Sequence, residues 1–496
     1  MSVAGAIGFE AGARQLDAEL RLTPFDAQFL AAEAGTMYSH YCGMTVFGPR
    51  ADGCSLTRDD VEALVASRLD RIPPLRWRLR SVPLGLDHPR FVDGPVDLGE
   101  HIVGHHLAPP GDLQQLARLG ARIMSRRLDR SRPLWAFHVV EGLADGRTAV
   151  GLTFHHAAAD ALGAAAIASL LLDPTDDPDA RELPGPVPVR RAPGTGRTLA
   201  RSLTRAVTHP VGALRSAAQA LPHLDQVPMM RTLPGAAPAS RLARATLRTV
   251  GRDQSPAPEL PAAPRLRFNG PLSPSRSVAF ATVEKALVLD VKRRHGVSYN
   301  DVVMAAIAGG LRRHLGATGE LPDRPLLAFV PANVRAEGQR LQGNAISSFV
   351  VPIPTDRPDA VDRLQEASLA MRRAKARHQL TPPTLMDDAN NLIPPMAFGV
   401  LAGGMLRLLG SGWIAPPLNL LISNVPGPPR RVHLAGAPME AFYPMSLVFG
   451  GAALNVTVMT YADRVDLGLV GDAVLVPDAA EILAAIEDEF RALASR

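Results

Sequence analysis

Cysteine is almost absent from this chain of 496 residues: Cys42 and Cys54 are the only two. Two cysteines cannot build a disulfide framework, and their spacing fits no metal-binding pattern, so a reducing cytoplasm is the expected setting. Lysine is nearly as scarce, at Lys285, Lys292 and Lys375, which leaves arginine to carry the positive charge. A GC-rich coding sequence accounts for that bias, although guanidinium groups also suit the phosphates of a bulky substrate. The net charge of +5 is small and scattered, which argues against nucleic acid as the main partner. Residues 1–30 lack the basic start of a signal peptide and contain Glu10, Asp17, Glu19 and Asp26. The most apolar window, 396–422, is interrupted by Arg407, Pro416, Pro417 and several glycines. It reads as a poor membrane span, and a peripheral contact on the inner membrane face stays open.

Several chemistries are missing as well. There is no Gly-x-Ser-x-Gly elbow, no phosphate-binding P-loop and no dinucleotide fingerprint. No second His/Glu cluster accompanies the histidines, so no metal is expected. Without a candidate nucleophile, direct transfer between two bound substrates is simpler than a covalent intermediate.

What is present describes a folded α/β chain. Hydrophobic residues make up 46% and charged residues 20%, the balance of a chain with large cores. Helical periodicity appears at 59–69 and 113–128, and strand-like runs at 136–141 and 148–154. Prolines crowd 174–193 and 256–264, marking a linker or crossover between them. Inside it, Leu199, Leu203, Val207, Leu214 and Leu221 recur at helical spacing, with Arg197, Arg201, Arg205 and Arg215 as a basic face. Such a helix either packs on its own domain, the commoner outcome, or lies on an anionic membrane. The second half repeats the mixture, with strands expected at 326–331, 345–352, 418–423, 453–460 and 465–471. A helix opens at Ser298, with Asp301 in capping-box position, and another opens after Pro477, with Asp478 and Glu481 in the same relation. The fold class is therefore α/β with mixed sheets, divided into 1–180, a linker at 181–265, and 266–496.

One segment carries chemistry. His155 and His156 end a buried strand, followed by three alanines and Asp160. Adjacent strand residues face opposite ways, so one imidazole can face a channel while the other packs inward. An imidazole near neutral pH can take a proton from an alcohol and return it to a leaving group. The bland alternative is a pair of core histidines with a helix-capping Asp. The other pair, His105-His106, has no following Asp and runs into Ala-Pro-Pro, so it reads as a surface loop.

His155-His156-Ala-Ala-Ala-Asp160 resembles the His-His-x-x-x-Asp-Gly motif of the chloramphenicol acetyltransferase-like superfamily. Further blocks resemble the bacterial wax ester synthase/diacylglycerol acyltransferase family along nearly the whole chain. They are Leu22-Thr-Pro-Phe-Asp-Ala-Gln-Phe-Leu30, Leu128-Asp-Arg-Ser-Arg-Pro-Leu-Trp135, Phe268-Asn-Gly-Pro-Leu272 and Asn300-Asp-Val-Val303 in the first part. Pro331-Ala-Asn-Val-Arg335, Gly343-Asn344 and Ser423-Asn-Val-Pro-Gly-Pro428 continue the series. The resemblance implies two chloramphenicol acetyltransferase-like domains with a tunnel between them, acyl-CoA entering one side and a lipid alcohol the other. His156 would be the general base, with His155 and Asp160 supporting the motif and no cofactor beyond the acyl-CoA substrate. Diacylglycerol or a long-chain alcohol would be the acceptor. A polyketide or glycolipid hydroxyl, or a non-catalytic lipid-binding role, are the alternatives.

The remaining motif residues have plainer readings beside the functional ones. Asn300 and Asn424 either line the channel and polarise an oxyanion or serve local turns and backbone bonds. Pro133, Leu134 and Trp135 read as packing that positions the strand before the site, and Asp301 as a cap. Asn455 and Thr457 read as buried polar groups with local partners. Ala161 stands where the family motif has Gly. It is costly if that position needs a positive φ and harmless if it is already helical.

Overall fold

The computed structural model describes residues 19–33, 35–159, 161–177, 183–189, 194–227, 229–249, 251, 260–333, 346–379, 382 and 384–496. Asp160, Val334-Arg335, Gly343-Asn344, the first strand residue expected at Ala345, and part of the proline-rich crossover lie outside the described residues.

The strands are β1 (Glu19–Arg21), β2 (His40–Phe47), β3 (Trp77–Arg80), β4 (Arg90–Asp93), β5 (Ile102–His106), β6 (Trp135–Glu141), β7 (Thr148–His155) and β8 (Arg276–Glu284). They continue as β9 (Leu326–Asn333), β10 (Ile346–Ile353), β11 (Leu420–Pro426), β12 (His433–Leu434), β13 (Ala437–Met445), β14 (Leu454–Tyr461) and β15 (Arg464–Asp472). Two six-stranded mixed sheets result, in the orders β12-β13-β2-β7-β6-β5 and β10-β9-β11-β14-β15-β8. A small sheet, β1-β4-β3, flanks the first. The chain order is not a clean cut between the sheets, because β12 and β13 come from the second half and extend the first sheet beside β2.

Helix starts follow the sequence signals closely. Thr23 with Asp26, Thr57 with Asp60, Asp112 with Gln115 and Ser298 with Asp301 each form a reciprocal capping box. Each box satisfies backbone N–H groups that the first turn leaves open. Asp301 does more than cap: its Oδ2 accepts from the Ser298 N–H at 2.8 Å and from the Ser368 hydroxyl at 2.9 Å, inside the second core. Asp301→Ala should therefore cost about 1–2 kcal/mol in chemical denaturation and leave turnover per folded molecule unchanged.

Three expectations are corrected. His105-His106 is not a surface loop; it ends strand β5, parallel to β6, with His105 Nε2 3.1 Å from His138 Nδ1. The apolar Ile102 and Val103 ahead of it supply the strand, which is why the Ala-Pro-Pro stop misleads. Asp478 does not cap the C-terminal helix Ala479–Ala494 through its side chain. Its carboxylate is taken instead by Arg267 and by His314 Nε2, the latter at 2.5 Å. Third, the helix expected at 197–221, observed as Thr195–Ala220, does not bury its apolar stripe. Its buried positions are Thr198, Ser202, Ser216 and Ala220.

The two sheets meet where β13 crosses β15 and β8. Phe280 and Tyr443 stack at 4.7 Å, and the Phe442 N–H donates to the buried Asp466 at 2.8 Å. Gly468 is required here: a Cβ at that position would fall 1.7 Å from the Pro444 carbonyl oxygen. One hydrophobic cluster, which includes Met44, Leu116, Tyr443 and Val470, runs across this seam.

Candidate active site

Strand β7 delivers both histidines to the edge of the first core. The His155 N–H donates to the Leu134 carbonyl at 3.0 Å and the His156 N–H to the Ser39 carbonyl at 2.8 Å. The chain thus turns out of the sheet between two anchored residues. Pro133-Leu134-Trp135 supplies one anchor: Trp135 is buried, stacks on His101 at 4.1 Å and donates Nε1–H to the Leu75 carbonyl at 2.8 Å.

His155 is fully buried and points inward. Its Nδ1 accepts the Ala157 N–H at 3.0 Å, which puts the proton of the neutral ring on Nε2. That nitrogen faces Glu33 Oε1 at 3.4 Å. Glu33 also accepts the Ser39 N–H at 3.0 Å and Arg130 Nη2 at 2.8 Å. Burial pushes the Glu33 carboxyl up, but His155, Ser39 and Arg130 outweigh it and hold the pKa at about 2. A carboxylate therefore sits permanently beneath the motif turn. The sequence reading missed Glu33, although it is the one acid in the stretch 27–35 and could have been flagged on that ground.

His156 points the other way. Its ring stacks on Phe29 at 5.0 Å and meets the edge of Tyr41 at 4.8 Å. Burial, reinforced by the neighbouring His155 and His40, pushes its pKa down to about 3. His40, paired with His155 across β2 and β7, is likewise lowered by burial to about 4. The His156 imidazole is thus neutral throughout the physiological range. Phe29 packs both on the first-half core and on a second cluster containing Leu327, Leu406, Leu421 and Leu447. His156 accordingly stands at the junction of the two halves, walled by aromatic rings.

Across the junction lies the second sheet. Leu421 belongs to the cluster that Phe29 joins, whereas Leu420 and Ile422 belong to the core beneath the helices. Strand alternation puts Ser423 on the face of Leu421 and Asn424 on the face of Ile422. Consistent with this, Asn424 Nδ2 donates to Asn300 Oδ1 at 2.5 Å, with Asn300 on the helix Tyr299–Ala317. The structure brings Asn300 and Asn424 together, on the helix side of the sheet. Ser423 pairs with Thr457 in register, and Thr457 donates to Asn455 Oδ1 at 2.8 Å. Asn455 in turn donates to the Leu447 carbonyl at 2.9 Å, so these two groups have the local partners expected of them. Ala161 is the first residue of the helix Ala161–Leu171, a helical position at which Ala is harmless.

Residues 22–303 match the wax ester synthase/diacylglycerol acyltransferase catalytic domain, and residues 342–494 match the C-terminal domain that accompanies it. The chain belongs to the wax ester synthase/diacylglycerol acyltransferase family. The wax ester synthase/diacylglycerol acyltransferase of Marinobacter aquaeolei VT8 is 26% identical with a TM-score of 0.65, over 96% of this chain and 100% of that one. A Mycobacterium tuberculosis protein named "Probable diacyglycerol O-acyltransferase tgs2" is 33% identical over 485 residues, 95% of this chain and 98% of its own. The first condensation domain of the calcium-dependent antibiotic synthetase shares the fold alone, at 16% identity and a TM-score of 0.54, over 96% of each chain. The mixed α/β architecture expected from the motifs is therefore that of the family and of condensation domains.

Proposed function

We propose that the protein transfers a fatty acyl group from acyl-CoA to the hydroxyl of diacylglycerol or of a long-chain alcohol, directly and without an acyl-enzyme, within a ternary complex. The observation that carries this reading is the neutral His156 ring held between Phe29 and Tyr41 at the junction of the halves. His156 takes the hydroxyl proton as the oxygen attacks the thioester carbonyl. The tetrahedral oxyanion then collapses, the C–S bond breaks, and the proton passes from His156 to the CoA sulfur. Ester and CoA thiol are the products, and no further cofactor is consumed. His155 holds the turn through Ala157 and Glu33 and does not touch substrate. The expected support from Asp160 belongs to the same proposal. Asn300 and Asn424, turned toward each other, shape the second sheet, while Ser423 is the polar group on the face shared with Leu421.

The test is purified protein with labelled acyl-CoA and a panel of acceptors, the products identified by lipid mass spectrometry. Triacylglycerol or wax ester is the expected product. Folded protein that forms no ester with any acceptor overturns the reading, and preference for a polyketide or glycolipid hydroxyl redirects it. The pH profile is a second check. Because burial holds His156 near pKa 3, kcat/KM should show no acid limb near 6.5 and stay level from about pH 5 to 8. A steep fall between pH 7 and 6 would mean that the base titrates like a solvated imidazole.

A further inference from the structure

The helix Thr195–Ala220 is inverted relative to its sequence pattern. It is fixed to the body by polar contacts: Arg90 Nη2 to Ser202 Oγ at 3.4 Å, Arg205 to Asp87 at 3.0 Å, and Ser216 Oγ to Asp388 at 2.8 Å. Its apolar residues face outward instead, with Leu203 47%, Val207 79%, Val211 57% and Leu214 72% exposed. At 100° per residue these four fall within a sector about 80° wide. Exposing four large apolar side chains in one stripe is unfavourable in water, and such stripes mark an interaction surface.

A second outward apolar face adjoins it. The helix Pro395–Gly410 buries Phe398, Ala402 and Leu406 but leaves Met396 65%, Val400 73% and Leu401 53% exposed. It meets the short helix Leu385–Asn391 at a bend of 109°, and that helix is held to the body, Asp387 accepting the Phe25 N–H at 3.2 Å and Asp388 the Ser216 hydroxyl at 2.8 Å. Among the described residues no single helix is long and apolar enough to cross one. Trp413, in the turn that follows, is 88% exposed. The loop around residues 83–88 joins the two faces. Asp87 accepts Arg205 from the first helix, His88 sets its ring edge against Phe398 of the second at 5.1 Å, and Leu84 between them is 82% exposed.

Charge selects the occupant. The helix Thr195–Ala220 carries no carboxylate and exposes Arg197, Arg201 and Arg215, while Arg205, on the body side, is engaged by Asp87. Residues 392–417 contain a single charged side chain, Arg407, which is also positive and exposed. An apolar stripe flanked by guanidinium groups, with a tryptophan at its border, matches the layered chemistry of an anionic phospholipid surface. We infer that these two helices and the loop between them form a docking face that inserts shallowly into an anionic membrane. The face lies one helix away from the reaction centre. The helix Pro24–Ala32 packs Ala27 against Phe398 and Ala402 and carries Phe29, which stacks on His156. If the acyltransfer reading holds, a lipid acceptor reaches His156 from this side.

The full-length protein is sedimented with phosphatidylcholine vesicles containing about one-third phosphatidylglycerol, and with pure phosphatidylcholine vesicles. Binding should favour the anionic vesicles and weaken at high salt. Val207→Asp combined with Val211→Asp should weaken it roughly tenfold or more, because charge replaces the inserting stripe. Arg197→Gln with Arg201→Gln should weaken it less and flatten the salt dependence. All four positions are exposed, so thermal melts of the variants should match the parent. Failure of the parent protein to sediment, or equal sedimentation of the aspartate variant, overturns the inference. So does light scattering that shows a dimer dissolved by the aspartate pair, with no vesicle binding. Sedimentation involves no turnover and stands apart from the acyltransfer reading. In assays, the aspartate variant should lose activity on vesicle-borne diacylglycerol and keep it on a soluble short-chain alcohol.

Discussion

Replacing His156 by Ala should lower kcat/KM by about 10²–10⁴-fold, the usual contribution of a positioned general base. The imidazole packs against two aromatic rings, Phe29 and Tyr41. Its removal leaves a small gap beside those rings and should cost on the order of 1–2 kcal/mol of stability. His156→Gln fills most of that gap and should be equally slow. Residual turnover above background would come from holding the thioester and alcohol together and from polarising the carbonyl. Turnover within twofold of the parent in both variants would remove His156 from the chemistry. Loss of turnover in variants that still fold and still bind acyl-CoA would at the same time dismiss a purely lipid-binding role.

Much of this was legible in the sequence where the signal is local. The capping box at Ser298, the apolar run before His155, and the alternation at Asn455 and Thr457 each depend on neighbours a few residues away. The failures share a different cause. Asp478 looked like a cap until Arg267 and His314, more than 150 residues distant in the chain, claimed its carboxylate. The stripe at Leu203, Val207 and Leu214 looked like a core face. What turned it outward is the set of polar partners, Arg90, Asp87 and Asp388, waiting on the body of the protein for the opposite face. The insertion of β13 beside β2 has no local signature either; it depends on Gly468 letting Pro444 pass close to β15. Within the site, the motif announced His155 and His156, yet it gave no hint that Glu33 and Arg130 support them from 122 and 25 residues away.

Glu33→Leu should be the most damaging single change that leaves both histidines in place. It strips the acceptor from the buried Ser39 N–H, at about 1–3 kcal/mol, and removes the carboxylate that faces the buried His155 Nε2 at 3.4 Å. The Glu33 carboxylate itself is nearly inaccessible, whereas Arg130 is 43% exposed and can turn to water, so the lost ion pair adds little. The expected total is about 3 kcal/mol of stability, with kcat falling about tenfold or more and KM holding. The reason for that split is positional. His155 fixes the turn after β7 through Ala157, and His156 is the next residue, so a loosened His155 misaims the base without altering substrate contacts. Glu33→Gln keeps an oxygen for Ser39 and His155 and should recover most of kcat. Linkage gives an independent readout. The Glu33 carboxyl is lowered from 4.5 to about 2 on folding, so the stability it contributes is complete above about pH 4.5 and fades as pH falls toward 2. The gap in stability between the parent and Glu33→Gln should therefore be level from pH 5 to 8 and narrow across about pH 4.5 to 2. A gap that widens on acidification, or a Glu33→Leu protein with unaltered kcat, would detach this carboxylate from the support of the motif.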